Sequence, residues 1–151
     1  MKHAPDIESW LSLNLIDGLG GESIRRLLIA FGSPSAIFST HTTALERIVK
    51  NPIAKRIKQG ADHNKISGVL KWLEDPANAI ITLADSDYPT QLLNIADPPP
   101  LLYFKGQREL LRKPALAVVG SRNATPQGLS NAEAFSEAAS NAGFCIISGM
   151  A

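Results

Sequence analysis

The sequence predicts an α/β protein in which a small helical domain, residues 1–75, precedes part of a parallel sheet, residues 76–151. Two patterns and one break predict this class. The first part carries apolar side chains at helical spacing. The stretch 114–151 contains an apolar strand, a helix and a second apolar strand, which together form a βαβ unit. Asp75-Pro76 separates the two patterns, because the residue before a proline disfavours helix.

Composition supports a folded protein and narrows its function. Of 151 residues, 44% are hydrophobic and 19% charged, which is typical of one or two domains with a core. The net charge of +1 is too small for a broadly basic DNA-binding face, so any DNA site has to be local. The single cysteine, Cys145, is expected to be buried, and the dispersed histidines predict no metal site. Without a signal peptide or an apolar run of membrane length, we expect a cytoplasmic protein with no membrane contact.

The helical domain is predicted from short amphipathic segments. They lie at about 6–15, 22–31, 34–38, 44–49, from 51 onward and at 62–73, with Asp6 and Asp62 as expected caps. The first two segments enclose Gly18-Leu19-Gly20, a layout similar to a helix-hairpin-helix, whose turn amides can hold a DNA phosphate. A tight connection in a helical bundle is the alternative, and we favour it because paired glycines are common in turns.

The most basic part of the chain is the stretch 47–58. It carries five cationic side chains: Arg47, Lys50, Lys55, Arg56 and Lys58. A solvated helix face accounts for them, and a secondary contact with a DNA backbone is the alternative.

The stretch 79–104 is expected to extend the parallel sheet. Strands are predicted at 79–83 and 101–104, joined by one helical turn near 91–95 and by three prolines that force an extended link. No Ser/His/Asp set, Cys/His pair or paired carboxylates accompany these elements, so the sequence predicts no catalytic centre.

The βαβ unit is the most informative stretch. Residues 116–119 form an apolar strand of the kind buried on both faces, and residues 144–147 form the second strand. Between them, Thr125 is expected to cap a helix that begins at Pro126 and stops before Gly143.

The strand ends of this unit predict an anion site. In an open parallel sheet, ligands bind beyond the carboxyl ends of the strands, here Gly120-Ser121-Arg122 and Ser148-Gly149. The helix start attracts anions, and the Arg122 guanidinium can hold a phosphate with two donors. Neither a P-loop nor a G-x-G-x-x-G fingerprint is present, so the loop lacks the parts that nucleotide hydrolysis uses. The alternative is a structural turn in which Arg122 is held in a salt bridge.

Several motifs together resemble the DNA-processing protein A (DprA/Smf) family. They are Val118-Val119-Gly120-Ser121-Arg122, Thr125-Pro126-Gln127-Gly128 and Ile147-Ser148-Gly149-Met150-Ala151. The upstream Asp87-Tyr88-Pro89, Asp97-Pro98-Pro99-Pro100-Leu101-Leu102-Tyr103 and Lys105-Gly106 are similar to its usual lead-in. The resemblance extends from about Leu11 to Ala151, where the family continues with a second glycine-rich turn. It therefore implies a fragment, roughly half of the expected protein.

The resemblance implies both a fold and a function. The fold is a SAM-like or helix-hairpin-helix-like helical domain followed by the first part of an extended Rossmann-like sheet. The function is sequence-independent binding of single-stranded DNA in natural transformation, competence and recombination, with loading of the RecA recombinase. No enzymatic activity and no cofactor are implied, and the full-length protein is expected to be a homodimer.

The motif match also carries over site residues. Gly120, Ser121 and Arg122 are the expected phosphate-holding residues, and Ser148 with Gly149 forms the facing wall of the same pocket. Thr125 is assigned from its capping role. Further DNA-contacting lysines and the dimer surface of the family would follow Ala151.

Two other functions remain open. One is a Rossmann-like enzyme that cleaves a nucleoside monophosphate, although such enzymes typically lack the helical domain and the proline-rich lead-in. The other is a protein-interaction module whose working part is the helical bundle. The residues that follow Ala151 would discriminate, since a Gly-Ile-Asp-like sequence favours DNA binding and a Gly-Gly-x-Gly-Thr-x-x-Glu pattern favours the enzyme.

Overall fold

The computed structural model describes residues 6–149. Contacts between Cα atoms divide the chain into two compact units, Met1–Gly106 and Gln107–Ala151, called here the N-terminal and C-terminal units. A domain boundary near residue 75 stays a prediction. By its contacts, the segment between residues 76 and 106 belongs to the N-terminal unit.

The described part of the N-terminal unit begins with short helices, as the sequence predicts. They are α1 Ile7–Asn14, α2 Gly21–Phe31, α3 Pro34–Ser39, α4 Thr42–Leu45, α5 Asn51–Gln59 and α6 His63–Trp72. The Asp62 carboxylate accepts the N–H of Asn64 at 2.8 Å, which confirms the predicted cap of α6. The predicted Asp6 cap is wrong, because the Asp6 carboxylate instead accepts the N–H of Ser35 at 3.2 Å.

Two buried apolar clusters hold this unit together. The first joins helices α1 to α5 around side chains with no exposed surface, namely Leu27, Ile37, Leu45, Ala54 and Ile57. The second joins Trp10 and Leu11 of α1 to Ile66 of α6 and to Leu101. Because Leu101 lies in the second cluster, the segment that follows the helices is packed onto them.

Strands β1 Asn78–Thr82 and β2 Leu101–Lys105 form an antiparallel pair, with Ile80 opposite Tyr103. Our expectation that they extend the parallel sheet is wrong, because among the described residues they form a separate two-stranded sheet. Leu101 of β2 packs against Trp10 and Leu11 of α1, so the two strands lie against the helices of the N-terminal unit. Thr90–Asn94, between the strands, is a 3-10 turn.

The C-terminal unit contains the predicted βαβ unit. Strand β3 Ala115–Ala117 pairs in parallel with β4 Cys145–Ile147, and α7 Pro126–Asn141 connects them. Gly143, with φ of +93°, follows α7 in the left-handed region where a glycine is favoured. Both the strand–helix–strand order and the parallel pairing are thereby confirmed.

The expected burial of this unit is wrong. No described residue between 107 and 149 is buried; Val119 is 88% exposed, Leu116 44%, and Cys145 is only partly buried. Within these residues the sheet has two strands and one crossover helix. A parallel sheet is buried on both faces only when other elements cover both faces. The two strands therefore have the apolar composition of core strands, but none of their side chains is buried.

Candidate phosphate-binding site

The parallel pairing of β3 and β4 brings the two predicted halves of the site to one edge. Ala117 lies opposite Ile147, and the Val118 N–H donates to the Ile147 carbonyl oxygen at 2.9 Å. Since both strands run the same way, the loop that starts at Gly120 and the dipeptide Ser148-Gly149 leave the same edge.

The loop between β3 and α7 has its own local order. Ser121 Oγ accepts the N–H of Asn123 at 3.1 Å, which fixes a tight turn around Arg122. A Cβ built on Gly120 would meet nothing within 4 Å, so the protein itself does not require glycine there. The absence of a side chain at this position therefore matters only for a group that approaches from outside.

Thr125 caps α7 as predicted. Its Oγ1 accepts the N–H of Gly128 at 3.1 Å, and Pro126, which has no N–H, occupies the first turn. The helix start consequently has fewer free donors than an uncapped one. This geometry gives Thr125 a structural role, and its contact with a phosphate stays a prediction.

Arg122 is exposed and makes no ion pair or hydrogen bond with any residue between 6 and 149. The alternative of a structural salt bridge therefore has no partner in that part of the chain. Gly149 is exposed as well, with no atom within 4 Å of a built Cβ. Met150 and Ala151, the end of the same motif, lie outside the described residues.

The perturbed acid groups lie elsewhere and have structural causes. The N–H of Ala77, which donates to Asp75, lowers the pKa of that carboxyl, and Lys105 at 3.5 Å acts in the same direction. Burial raises the pKa of Tyr88, whose hydroxyl donates to the Pro99 carbonyl oxygen. Burial also raises the pKa of Tyr103. Neither these groups nor the described His, Cys, Asp and Glu residues form a metal-binding cluster.

Two of the five basic residues in 47–58 support the fold. Lys58 Nζ donates to the carbonyl oxygens of Phe38 and Thr40 at the end of α3. Arg56 Nη1 donates to the carbonyl oxygen of Asp17 at 2.8 Å, in the turn between α1 and α2. Sequence reasoning missed both contacts, since only the fold brings a side chain to a carbonyl 39 positions away.

The start of α2 already has an anionic neighbour. Arg25 forms an ion pair with Asp97 at 2.5 Å and donates to the Pro98 carbonyl oxygen. A Cβ built on Gly21 would lie 3.0 Å from Asp97 Oδ1. A carboxylate of the chain itself thus lies beside the start of α2, where it would repel a phosphate, and this favours the simple-connection interpretation of the turn.

No helix among residues 6–149 combines the length and the apolar character that crossing a membrane requires.

Comparison with known proteins gives a consistent result. Residues 79–151 match the family model described as DNA recombination-mediator protein A. The chain is 28% identical to Protein Smf of Synechocystis sp. over 94% of its length, and 29% identical to Protein Smf of Escherichia coli over 97%. It is 40% identical to DNA processing protein DprA of Streptococcus pneumoniae over 46% of its length.

A solved structure is also similar. The X-ray structure of DNA processing protein A from Streptococcus pneumoniae matches with a TM-score of 0.58 and 26% identity. The match covers 86% of this chain and 44% of that one. The mixed helices and small sheets described above therefore correspond to part of that fold.

The matched regions are only parts of the relatives. They cover 37% of the Synechocystis protein, 38% of the Escherichia coli protein and 24% of the Streptococcus pneumoniae protein. The family model, the relatives and the solved structure nevertheless agree with the motifs around Arg122, and together they support assignment of the chain to the DprA/Smf family.

Proposed function

We propose that this chain supplies a phosphate-binding edge to a protein that binds single-stranded DNA without sequence preference, in DNA uptake and recombination. The observation that carries the proposal is the β3–β4 ladder. It sends Gly120-Ser121-Arg122 and Ser148-Gly149 out of one sheet edge, with the Arg122 guanidinium unpaired among the described residues.

The chemistry of this edge suits a nucleic-acid backbone. A guanidinium has five N–H donors in a plane and can hold two phosphate oxygens at once. Every nucleotide carries the same phosphate, so such a contact binds a strand whatever its bases. Gly120 leaves the backbone open to a close approach, and α7 directs its positive end toward the same loop.

The match of residues 79–151 to a recombination-mediator family supports the wider part of the proposal. In the whole protein, the strand would be passed to the RecA recombinase, and the protein would act as a homodimer built on an extended Rossmann-like sheet. The proposed activity is binding without catalysis, because the loop lacks the lysine and the Mg²⁺-binding hydroxyl of a P-loop.

The decisive experiment compares Arg122→Ala with Lys113→Ala. Lys113 is also an exposed cation of the C-terminal unit, but it precedes β3, at the opposite end of the strand. Labelled oligonucleotides of different sequence are titrated at several salt concentrations. We expect Arg122→Ala to lose about 1–3 kcal/mol for every sequence, and its slope of log affinity against log salt to shrink by about 0.7.

Two further measurements complete the design. Arg122→Lys should recover only part of the affinity, since an ammonium cannot form the two-donor contact. Thermal melting should be unchanged in Arg122→Ala, because no described residue pairs with its guanidinium. If Arg122→Ala and Lys113→Ala bind DNA equally well and with equal salt slopes, the loop is not the DNA site.

A further inference from the structure

A second cationic feature lies in the N-terminal unit, beside the turn between α1 and α2. A pocket of about 280 Å³ opens there, and its walls come from three places. The turn contributes Asp17, the end of α5 contributes Arg56 and Gly60, and the start of α6 contributes Lys65. Small residues on one wall leave room for a group that these cations can reach.

Arg56 is held at this pocket by the backbone of the turn. Its Nη1 donates to the Asp17 carbonyl oxygen at 2.8 Å. A Cβ built on Gly18 would lie only 3.1 Å from the same Nη1, so the guanidinium lies directly against the Gly18 backbone. This contact uses one of five N–H donors and restricts the side chain. The remaining donors are therefore presented with little loss of side-chain freedom on binding.

The pocket carboxylates have partners of their own. The Asp17 carboxylate lies 3.6 Å from Lys65 Nζ, and the Asp62 carboxylate caps α6 through the Asn64 N–H. Arg56 forms no ion pair with a carboxylate between residues 6 and 149. The guanidinium is thus a positioned cation with no carboxylate of the described residues within ion-pair distance, although the Asp17 and Asp62 carboxylates line the same pocket. The ammonium of Lys65, paired with Asp17, is the second cationic group there.

We infer that Arg56, with Lys65 beside it, forms a phosphate subsite that binds the backbone of single-stranded DNA. The inference rests on the proposed function, to which it adds a second contact in the N-terminal unit. Side chains, rather than the amides at the start of α2, make this contact, since Asp97 already lies there. Among the basic residues of α5, only Arg56 lines the pocket, so the inference assigns DNA binding to Arg56 and not to Lys55 or Lys58.

The first experiment tests the subsite without DNA. The whole chain, labelled with ¹⁵N, is titrated with tripolyphosphate and followed by NMR. We expect saturable shifts of the Gly18 and Gly60 amides and of Arg56 Nε, which are lost in Arg56→Gln and reduced in Lys65→Ala. Absence of these shifts in the unaltered protein, or their persistence in Arg56→Gln, overturns the inference.

The second experiment tests the assignment to DNA. Arg56→Ala is compared with Lys55→Ala, which removes the same charge from the adjacent exposed position of α5 outside the pocket. We expect Arg56→Ala to weaken oligonucleotide binding about tenfold at low salt and to reduce the salt slope by about 0.7, and Lys55→Ala to do much less.

Lys65→Ala keeps the experiment informative if Arg56→Ala destabilises the turn, because the exposed Lys65 makes only a 3.6 Å ion pair. Lys65→Ala should weaken binding by a smaller factor without lowering the melting temperature. Equal DNA affinities of the Arg56, Lys65 and Lys55 variants overturn the assignment to DNA.

If Arg122→Ala still loses affinity in that case, the proposed function survives and only this inference fails. If tripolyphosphate binds at Arg56 but neither Arg122→Ala nor Arg56→Ala affects DNA binding, the proposed function fails and the subsite belongs to another phosphate.

Discussion

The two units of this chain use apolar residues in opposite ways. In the N-terminal unit, Leu11, Leu27 and Ile37 are fully buried, whereas in the C-terminal unit Leu129 is 57% exposed and Phe135 72%. The N-terminal helices cover one another in two buried apolar clusters. The βαβ unit instead pairs two distant strands and leaves its faces uncovered within the described residues. An apolar pattern thus predicts a surface that has to be covered, but not what covers it.

The cations show the same contrast. In the N-terminal unit, Arg25, Arg56 and Lys58 donate to carbonyl oxygens of the fold. In the C-terminal unit, Arg122 makes no such contact with the described residues. A cation engaged with the backbone is positioned by the protein, whereas an unengaged one has to be positioned by its ligand.

The largest difference between the units should appear when they are separated. We expect the fragment 1–106 to unfold in one cooperative transition, because both buried clusters lie inside it. The fragment 107–151 should show no cooperative transition, because none of its described residues is buried. Circular dichroism melts and limited proteolysis measure both. Sharp, coincident melting of 107–151 by two probes would contradict the comparison.

A matched pair of leucine substitutions gives a smaller effect. Leu27 of α2 is fully buried and Leu129 of α7 is more than half exposed. Leu27→Ala should cost about 2–5 kcal/mol of the free energy of unfolding, the usual range for a core cavity. Leu129→Ala should change it by no more than about 0.5 kcal/mol. Denaturant titration of the whole chain tests this, and equal losses would show that α7 is covered in solution.

The smallest expected effect concerns the helix caps, one in each unit. Ser33 Oγ accepts the Ala36 N–H in the N-terminal unit, as Thr125 Oγ1 accepts the Gly128 N–H in the C-terminal unit. Ser33→Ala should lower the free energy of unfolding by about 1 kcal/mol. Thr125→Ala should instead lower the total helical circular dichroism slightly, because only α7 frays. It should leave the unfolding transition of the N-terminal unit almost unchanged. A shift of that transition by Thr125→Ala as large as by Ser33→Ala would show that the two units unfold together.

Local features of the fold could be predicted from the sequence. Helix starts at Pro34, His63 and Pro126 follow from the short-range preferences of Ser33, Asp62 and Thr125, which act within three residues. The parallel pairing of β3 with β4 follows from the strand–helix–strand order. These inferences need no knowledge of distant partners.

Features set by long-range packing could not be predicted. The antiparallel pairing of β1 with β2 depends on Leu101 reaching Trp10 and Leu11. The exposure of β3 depends on which layers cover the sheet. For the candidate site, the sequence is enough to predict which residues follow the ends of β3 and β4. The structure adds that the Thr125 hydroxyl oxygen already accepts the Gly128 N–H. The Arg56 pocket has no local sequence signal, because its walls come from three separate segments.

The contact between Gly18 and Arg56 has a consequence for how the sequence can vary. Gly18 has φ of +81°, and any side chain there would also approach the guanidinium to about 3.1 Å. A β-carbon at position 18 would therefore strain the turn and also push the tip of the Arg56 side chain away by a few tenths of an ångström. We expect positions 18 and 56 to vary together among relatives, with residues other than glycine at 18 accompanied by shorter or uncharged side chains at 56. The two positions would then change together in evolution although they lie 38 positions apart in the sequence, because the fold holds the Arg56 guanidinium against the backbone of residues 17 and 18.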